Sequence, residues 1–206
     1  MLKIWGRTNS INVQKVLWCC GELGLHFERI DAGMQFGVNN TPEYKTLNPN
    51  GLVPTISDDG FVLWESHAIV RYLSRKQGVG TLWPADAHTA TSADRWMEWY
   101  STTMWLNLRP VFWNLVRTAP EKRNMTEVEE SRKRLAANLA IVDAQLAGAE
   151  YIAGESFTMA DIPMGVAAYR WFSLPIERPS MPHFERWYKR ICERPAFRQH
   201  CMLPLT

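Results

Sequence analysis

The sequence predicts an α/β N-terminal half followed by an all-helical C-terminal half. Three observations carry this expectation. Segments of period two alternate with segments of helical period over residues 1–78. An Asp59-Gly60 turn signal joins two of the period-two segments as a hairpin. Past residue 86 the apolar spacing is helical, with no convincing strand pair.

Leu2-Lys3-Ile4-Trp5 alternates as a short strand, and Gly6 to Asn9 reads as a loop. From Ser10, residues Val13, Val16, Leu17, Cys20 and Leu23 recur at helical spacing, and Gly24 supplies a stop. His26 to Ile30 is a second strand. Gly33 to Thr46 is polar and irregular, with one helical turn expected after Thr41-Pro42. Thr55-Ile56 and Phe61-Val62-Leu63 are the hairpin arms. A helix follows over Glu65 to Gln77, with Ile69, Val70, Tyr72 and Leu73 on its apolar side. The order is β-α-β-α-β-β-α, and residues 1–78 form the first expected domain.

Residues 79–86 are the expected linker and residues 87–206 the helical domain. One long helix is expected from His88 towards Arg117, kinked at Pro110. A second runs from Glu127 to Leu146, amphipathic through Leu135, Leu139, Val142 and Leu146. Thr158-Met159-Ala160-Asp161 has the spacing of a capping box, with Pro163 in the first turn of the helix it opens. Pro182 to Glu193 is a further helix, and Pro195 begins a short last one.

Composition narrows the function. The net charge of +2 comes from mixed signs spread along the chain, so no basic stripe for nucleic acid exists. No run approaches the length of a membrane span, and the N-terminus lacks a signal peptide's regions, which points to a cytoplasmic setting. Cys19, Cys20, Cys192 and Cys201 form no CxxC pair and no metal spacing; they read as structural thiols in a reducing compartment. Most of the ten tryptophans are expected in the core or lining a pocket.

Two short segments carry a binding chemistry. In Asn48-Pro49-Asn50-Gly51-Leu52-Val53-Pro54, proline holds Val53 extended, leaving its backbone N–H and C=O for a peptide laid alongside. Pro54 is a candidate cis proline, which would aim those groups outward. Glu65-Ser66 opens a helix, where free N–H groups receive a carboxylate and Glu65 receives an ammonium. The same pair also fits a plain first-turn acid and cap.

At this point the chain resembles the cytosolic glutathione transferases. The resemblance rests on the β-α-β-α-β-β-α half, the Asn48–Pro54 run, the Trp64-Glu65-Ser66-His67-Ala68-Ile69 helix start and Thr158-Met159-Ala160-Asp161-Ile162 in a helical second half. It implies a thioredoxin-like domain with a mixed four-stranded sheet, packed on a helical bundle. It also implies a homodimer, with glutathione as co-substrate in the first domain, a small hydrophobic electrophile in the cleft against the second, and no metal. Carried over, Val53 and Pro54 hold the cysteinyl unit, Glu65 and Ser66 the γ-glutamyl ammonium and carboxylate, and Asn39 the glycyl carboxylate.

The first loop is the serine/asparagine type of bacterial relatives rather than the tyrosine type. It reads Arg7-Thr8-Asn9-Ser10-Ile11-Asn12. Counted back from Gly24, Ser10 falls where serine-type members carry the catalytic hydroxyl, and Asn12 is the other catalytic candidate. A hydroxyl donor and a helix N-terminus both favour a thiolate. Ser10 also fits a plain N-cap, Asn12 a solvated first-turn residue, Asn39 an ordinary loop residue and Arg7 a surface arginine in an ion pair. Trp105, Arg109 and Trp113 share one helix face and are expected to line the electrophile pocket; the one cation among the rings also suits a negatively charged electrophile. Two other readings stay open: a glutathione-dependent thiol-disulfide reductase or peroxidase, and a non-catalytic module for ligands or protein partners.

Overall fold

Four short strands, β1 (Leu2–Trp5), β2 (Phe27–Ile30), β3 (Thr55–Asp58) and β4 (Phe61–Trp64), form one sheet in the order β2-β1-β3-β4. The computed structural model describes residues 1–206. β1 runs parallel to β2 and antiparallel to β3, and β3 and β4 form the hairpin, so the sheet is mixed. The register decides where a site can form. Trp5 faces Ile30 on one side and Thr55 on the other, and Thr55 faces Trp64. The chain leaving β1, the chain entering β3 and the chain leaving β4 therefore meet at one end of the sheet. These are the segments Gly6–Asn12, Asn48–Pro54 and Glu65–Ser66.

Helix α1 (Ile11–Glu22) supplies the crossover that parallel β1 and β2 require. Unlike a half-solvated helix, it is buried almost all round, from Ile11 to Cys20 apart from Asn12. Helix α2 (Pro42–Leu47) fulfils the expected turn, capped by Thr41, whose Oγ1 accepts from the Tyr44 N–H at 3.2 Å. Helix α3 (Ser66–Gln77) begins one residue later than expected, because Glu65 sits at φ +71° as the chain turns out of β4.

The helical half departs from the expectation chiefly in its long helix. The long helix divides into α4 (Ala87–Trp99) and α5 (Trp105–Phe112), with π-helical turns over Tyr100–Met104 and Trp113–Arg117. Pro110 lies inside α5, and the departures from α geometry fall on either side of it. Helix α6 (Met125–Leu146) starts two residues early, because Asn124 accepts from the Glu127 N–H at 3.1 Å. Helix α7 (Asp161–Ser173) starts at the acid of the expected box rather than just after Thr158. The Asp161 carboxylate takes the Thr158 N–H at 2.9 Å, as a capping box requires, but Thr158 Oγ1 accepts from Ala160 N–H instead of from Asp161 N–H. Helices α8 (Pro182–Cys192) and α9 (Pro195–His200) complete the chain.

One core of 39 buried residues runs through both halves. Trp18 of α1 is its hinge, packed on Phe197 of α9 at 4.6 Å between ring centroids. Gly165 of α7 makes this possible, since a Cβ there would lie 2.6 Å from the Trp18 ring. Glu22 on α1 and Arg194 close the interface with a bidentate pair at 2.6 and 2.8 Å.

Candidate active site

A cleft of about 470 Å³ opens between the sheet end and the helical half. Arg7, Ser10, Asn12, Asn39 and Val53 line one wall; Trp105, Arg109, Trp113, Arg117 and Arg170 line the other. A smaller recess of about 160 Å³ adjoins it, lined by Lys15, Glu65, Ser66, His67 and Tyr100, with Asn12 and Trp105 common to both. The structure thus brings together all the site residues read from the sequence except Pro54, which stands directly behind Val53.

The loop presenting Val53 is fixed from behind. The buried Asn48 amide donates to Leu52 O at 3.0 Å and Thr55 Oγ1 at 3.1 Å, and its oxygen accepts from Asn50 N–H. The Tyr44 hydroxyl donates to Leu52 O at 2.6 Å. Asn39 donates to Gly51 O at 2.6 Å, and Gly51 takes φ +61°, which favours glycine. The Val53-Pro54 peptide is cis, and neither the N–H nor the C=O of Val53 has an intramolecular partner. The carbonyls of Gly51 and Leu52 are tied down, and this pair is left free.

Glu65 and Ser66 are free in the same sense: neither side chain makes a hydrogen bond or an ion pair within the chain. The φ of +71° at Glu65 is costly for a residue with a Cβ, and such strain gathers at functional positions. Ser10 occupies the N-cap position of α1, with φ −85° and ψ 124°, yet its side chain caps nothing. It is 7 % exposed and lines the cleft. Asn12 is anchored by Lys15, whose Nζ donates to Asn12 Oδ1 at 3.0 Å.

Sequence reasoning missed Lys15 and His67. Lys15 is only 2 % exposed. Its Nζ also lies 3.0 Å from His67 Nε2 and 4.4 Å from the Tyr100 ring centroid. Burial, then repulsion from Arg170, lowers the lysine to about 7, against an opposing pull from Glu65. Burial likewise holds His67 well below its usual range, and it is neutral. Nε2 then accepts from Lys15 and Nδ1–H donates to Ser101 Oγ at 2.9 Å. The signal was present as a lone cation inside the apolar run Val13–Cys20.

Lys15 gives a sign to the pH dependence of stability. Its native pKa of about 7 lies below the 10.5 of an open chain, so between these values the unfolded state binds more protons and stability rises with pH. Urea unfolding of the wild type and Lys15→Met at pH 7 and 8.5 should show the wild type gaining about 1.5 kcal/mol relative to the variant. Parallel pH profiles would show that this lysine does not titrate there.

The expectation of an ion-paired surface Arg7 is not met. Arg7 makes no ion pair, is half-buried and lines the cleft, and its Nε has no partner. No cysteine lines either recess. Burial pushes the Cys19 thiol up to about 12 and raises Cys20 and Cys201 as well. No group of three or more His, Cys, Asp or Glu side chains is placed to hold a metal ion, and no helix is long and apolar enough to cross a membrane.

A mixed four-stranded sheet with a free backbone pair before a cis proline, faced by a helical half, defines the class by its fold, a thioredoxin-like half docked on a helical one. Comparison with known proteins narrows the class. Residues 9–76 match the family model for the glutathione S-transferase N-terminal domain, and residues 103–195 match that for the C-terminal domain. The chain is 39 % identical over 208 residues to glutathione S-transferase GstB of Escherichia coli, covering 100 % of both. It is 35 % identical to glutathione S-transferase 3 of Zea mays, over 96 % of this chain and 92 % of that one. A theta class glutathione S-transferase from Xanthomonas axonopodis pv. citri with glutathione bound superposes with a TM-score of 0.96 at 44 % identity, over 100 % of this chain and 99 % of that one. The chain belongs to the glutathione S-transferase family.

Proposed function

We infer that this protein is a glutathione transferase, joining the glutathione thiolate to a small electrophile. The observation that carries the reading is the unpaired backbone of Val53 at the same sheet end as the unpaired Glu65, Ser66 and Ser10. In this reading Val53 pairs with the cysteinyl unit as an added strand. Glu65 takes the γ-glutamyl ammonium, and Ser66, with the free N–H groups of the first turn of α3, takes its carboxylate. Asn39 supports the peptide indirectly, since its amide is committed to the Gly51 turn. The sulfur then lies towards Ser10 and the N-terminus of α1, where hydroxyl and helix dipole favour the thiolate. Trp105, Arg109 and Trp113 form the electrophile wall.

The buried, high-pKa thiols argue against a cysteine-based reductase, and the intact acid–hydroxyl pair argues against a carrier without chemistry. We place the protein in the cytoplasm, detoxifying electrophiles as a homodimer. Phe61 and Trp64 on the edge strand β4 are 51 % and 38 % exposed, a surface that a second copy would cover.

Calorimetric titration with glutathione tests the reading. Saturable binding in the millimolar range or tighter is expected, and its absence would remove glutathione as the ligand. Glu65→Gln should weaken that binding about tenfold, the worth of one hydrogen bond to a charged group. An unchanged Kd in this variant would move the ammonium elsewhere.

A further inference from the structure

The cleft holds four guanidinium groups and no carboxylate. Arg7, Arg109, Arg117 and Arg170 all line it, and no Asp or Glu does. Outside the cleft several partly buried arginines are matched to acids: Arg71 to Asp94 and Glu98, Arg132 to Glu129, Arg194 to Glu22. None of the four cleft arginines makes an ion pair. Glu127 shares an adjoining crevice with Arg109 but accepts from Asn114 Nδ2 at 3.1 Å.

Arg170 is the most informative of the four. It is 2 % exposed, and a buried cation is ordinarily paired. Its Nη1 donates only to neutral acceptors, Gln14 Oε1 at 3.0 Å and Val166 O at 3.3 Å, and its Nε has no partner. The Nε atoms of Arg7 and Arg117 are also buried and unpartnered. The charges burden one another: burial and the Arg117 charge both lower Arg7, and burial with a smaller push from Arg117 brings Arg170 down to about 10. At about 10, Arg170 remains cationic at neutral pH.

Position divides the four. Arg7 lies on the peptide side, near Gly33 and Val53. Arg109, Arg117 and Arg170 come from the helical half and sit against rings. Arg170 and Arg117 flank Phe112 at 5.0 and 5.8 Å, and Arg109 and Arg117 flank Trp113 at 5.7 and 5.9 Å. Cations interleaved with aromatic faces match a ligand with a flat apolar body and an anionic end.

We propose that the second substrate is an anionic electrophile, an aryl or unsaturated compound carrying a carboxylate or sulfonate. The arginines of the helical wall hold that acid group. This rests on the transferase reading above and specifies its substrate class. In the aryl halide case the thiol first gives its proton to solvent. The thiolate sulfur then bonds to the ring carbon and the carbon–halogen bond breaks, so halide leaves with the electron pair; no oxidant or reductant is needed.

The test compares a chloronitrobenzoate with the matching chloronitrobenzamide, each kcat/KM divided by its uncatalysed rate constant with glutathione. A preference for the carboxylate of at least ~10-fold is expected, carried by KM and eroded by added salt. Arg117→Gln should cut that preference at least ~5-fold, while Arg95→Gln, on the exposed face of α4, leaves it intact. Equal normalised values for the two compounds would overturn the proposal. So would an Arg117→Gln variant that raises KM for glutathione and leaves the preference untouched, since the arginine would then serve the tripeptide. A separate measurement keeps the two readings apart. Unreactive nitrobenzoate should quench tryptophan fluorescence at lower concentration than nitrobenzamide, with or without glutathione. Equal quenching rejects the anion site even if conjugation occurs, whereas selective quenching without glutathione binding rejects only the transferase.

Discussion

Replacing Ser10 by alanine is expected to lower kcat/KM for conjugation about 100-fold, the usual cost of one donor to a developing or stabilised anion. The hydroxyl is poised for that role because nothing in the chain uses it. It stands at the N-cap of α1 without capping, and it is held at the cleft by the Gln14 N–H, which donates to Ser10 O at 2.9 Å. Without it a bound thiolate keeps only the helix dipole and the nearby cations, so the thiol titrates at higher pH. The acid limb of the pH–kcat/KM profile should move upward, while the calorimetric Kd for glutathione changes little. Asn12→Ala should cost less, under about 10-fold, because Asn12 is tethered to Lys15 rather than free. The opposite ranking would assign thiol activation to the asparagine.

The contrast between Ser10 and Lys15 shows what a sequence of this kind makes legible. The strands, the hairpin and the helix order were readable because periodicity and turn chemistry are local. The cis bond before Pro54 and the helix start at Glu65-Ser66 were readable because each segment is contiguous and carries its own local chemistry. Whether Ser10 caps its helix was not, since a free and a bonded hydroxyl have the same sequence context. The π-helical turns flanking α5 leave the apolar spacing almost unchanged and give no local signal. Lys15 sits in a helix read from its apolar spacing alone, and only packing by α3, α7 and α9 buries the rest of its surface. The arginine group is the extreme case. Arg7 and Arg170 stand 163 positions apart in the chain, and only the docking of the helical half on the sheet end puts them in one cleft.

Asp161→Ala should destabilise the fold by about 3 kcal/mol, seen as a fall in Tm of about 6–12 °C for a chain of this size. Asp161 is fully buried and gathers three elements. Its carboxylate accepts from the Ile152 N–H at 3.1 Å, the Thr158 N–H at 2.9 Å and the Trp187 Nε1–H of α8 at 2.9 Å. Alanine leaves all three donors buried without an acceptor, which alone suggests a loss of about 6 kcal/mol. The carboxylate's own burial offsets part of this: desolvation outweighs the bonds and raises its pKa to about 6, so the charged form at neutral pH already carries a penalty. The attribution is checked with Trp187→Phe, which removes one orphaned donor. The double variant Asp161→Ala/Trp187→Phe should lose less than the sum of the single losses by about 1 kcal/mol. Strict additivity would mean that the indole bond contributes nothing, and a fall in Tm below about 2 °C for Asp161→Ala would mean that the start of α7 is held by packing alone.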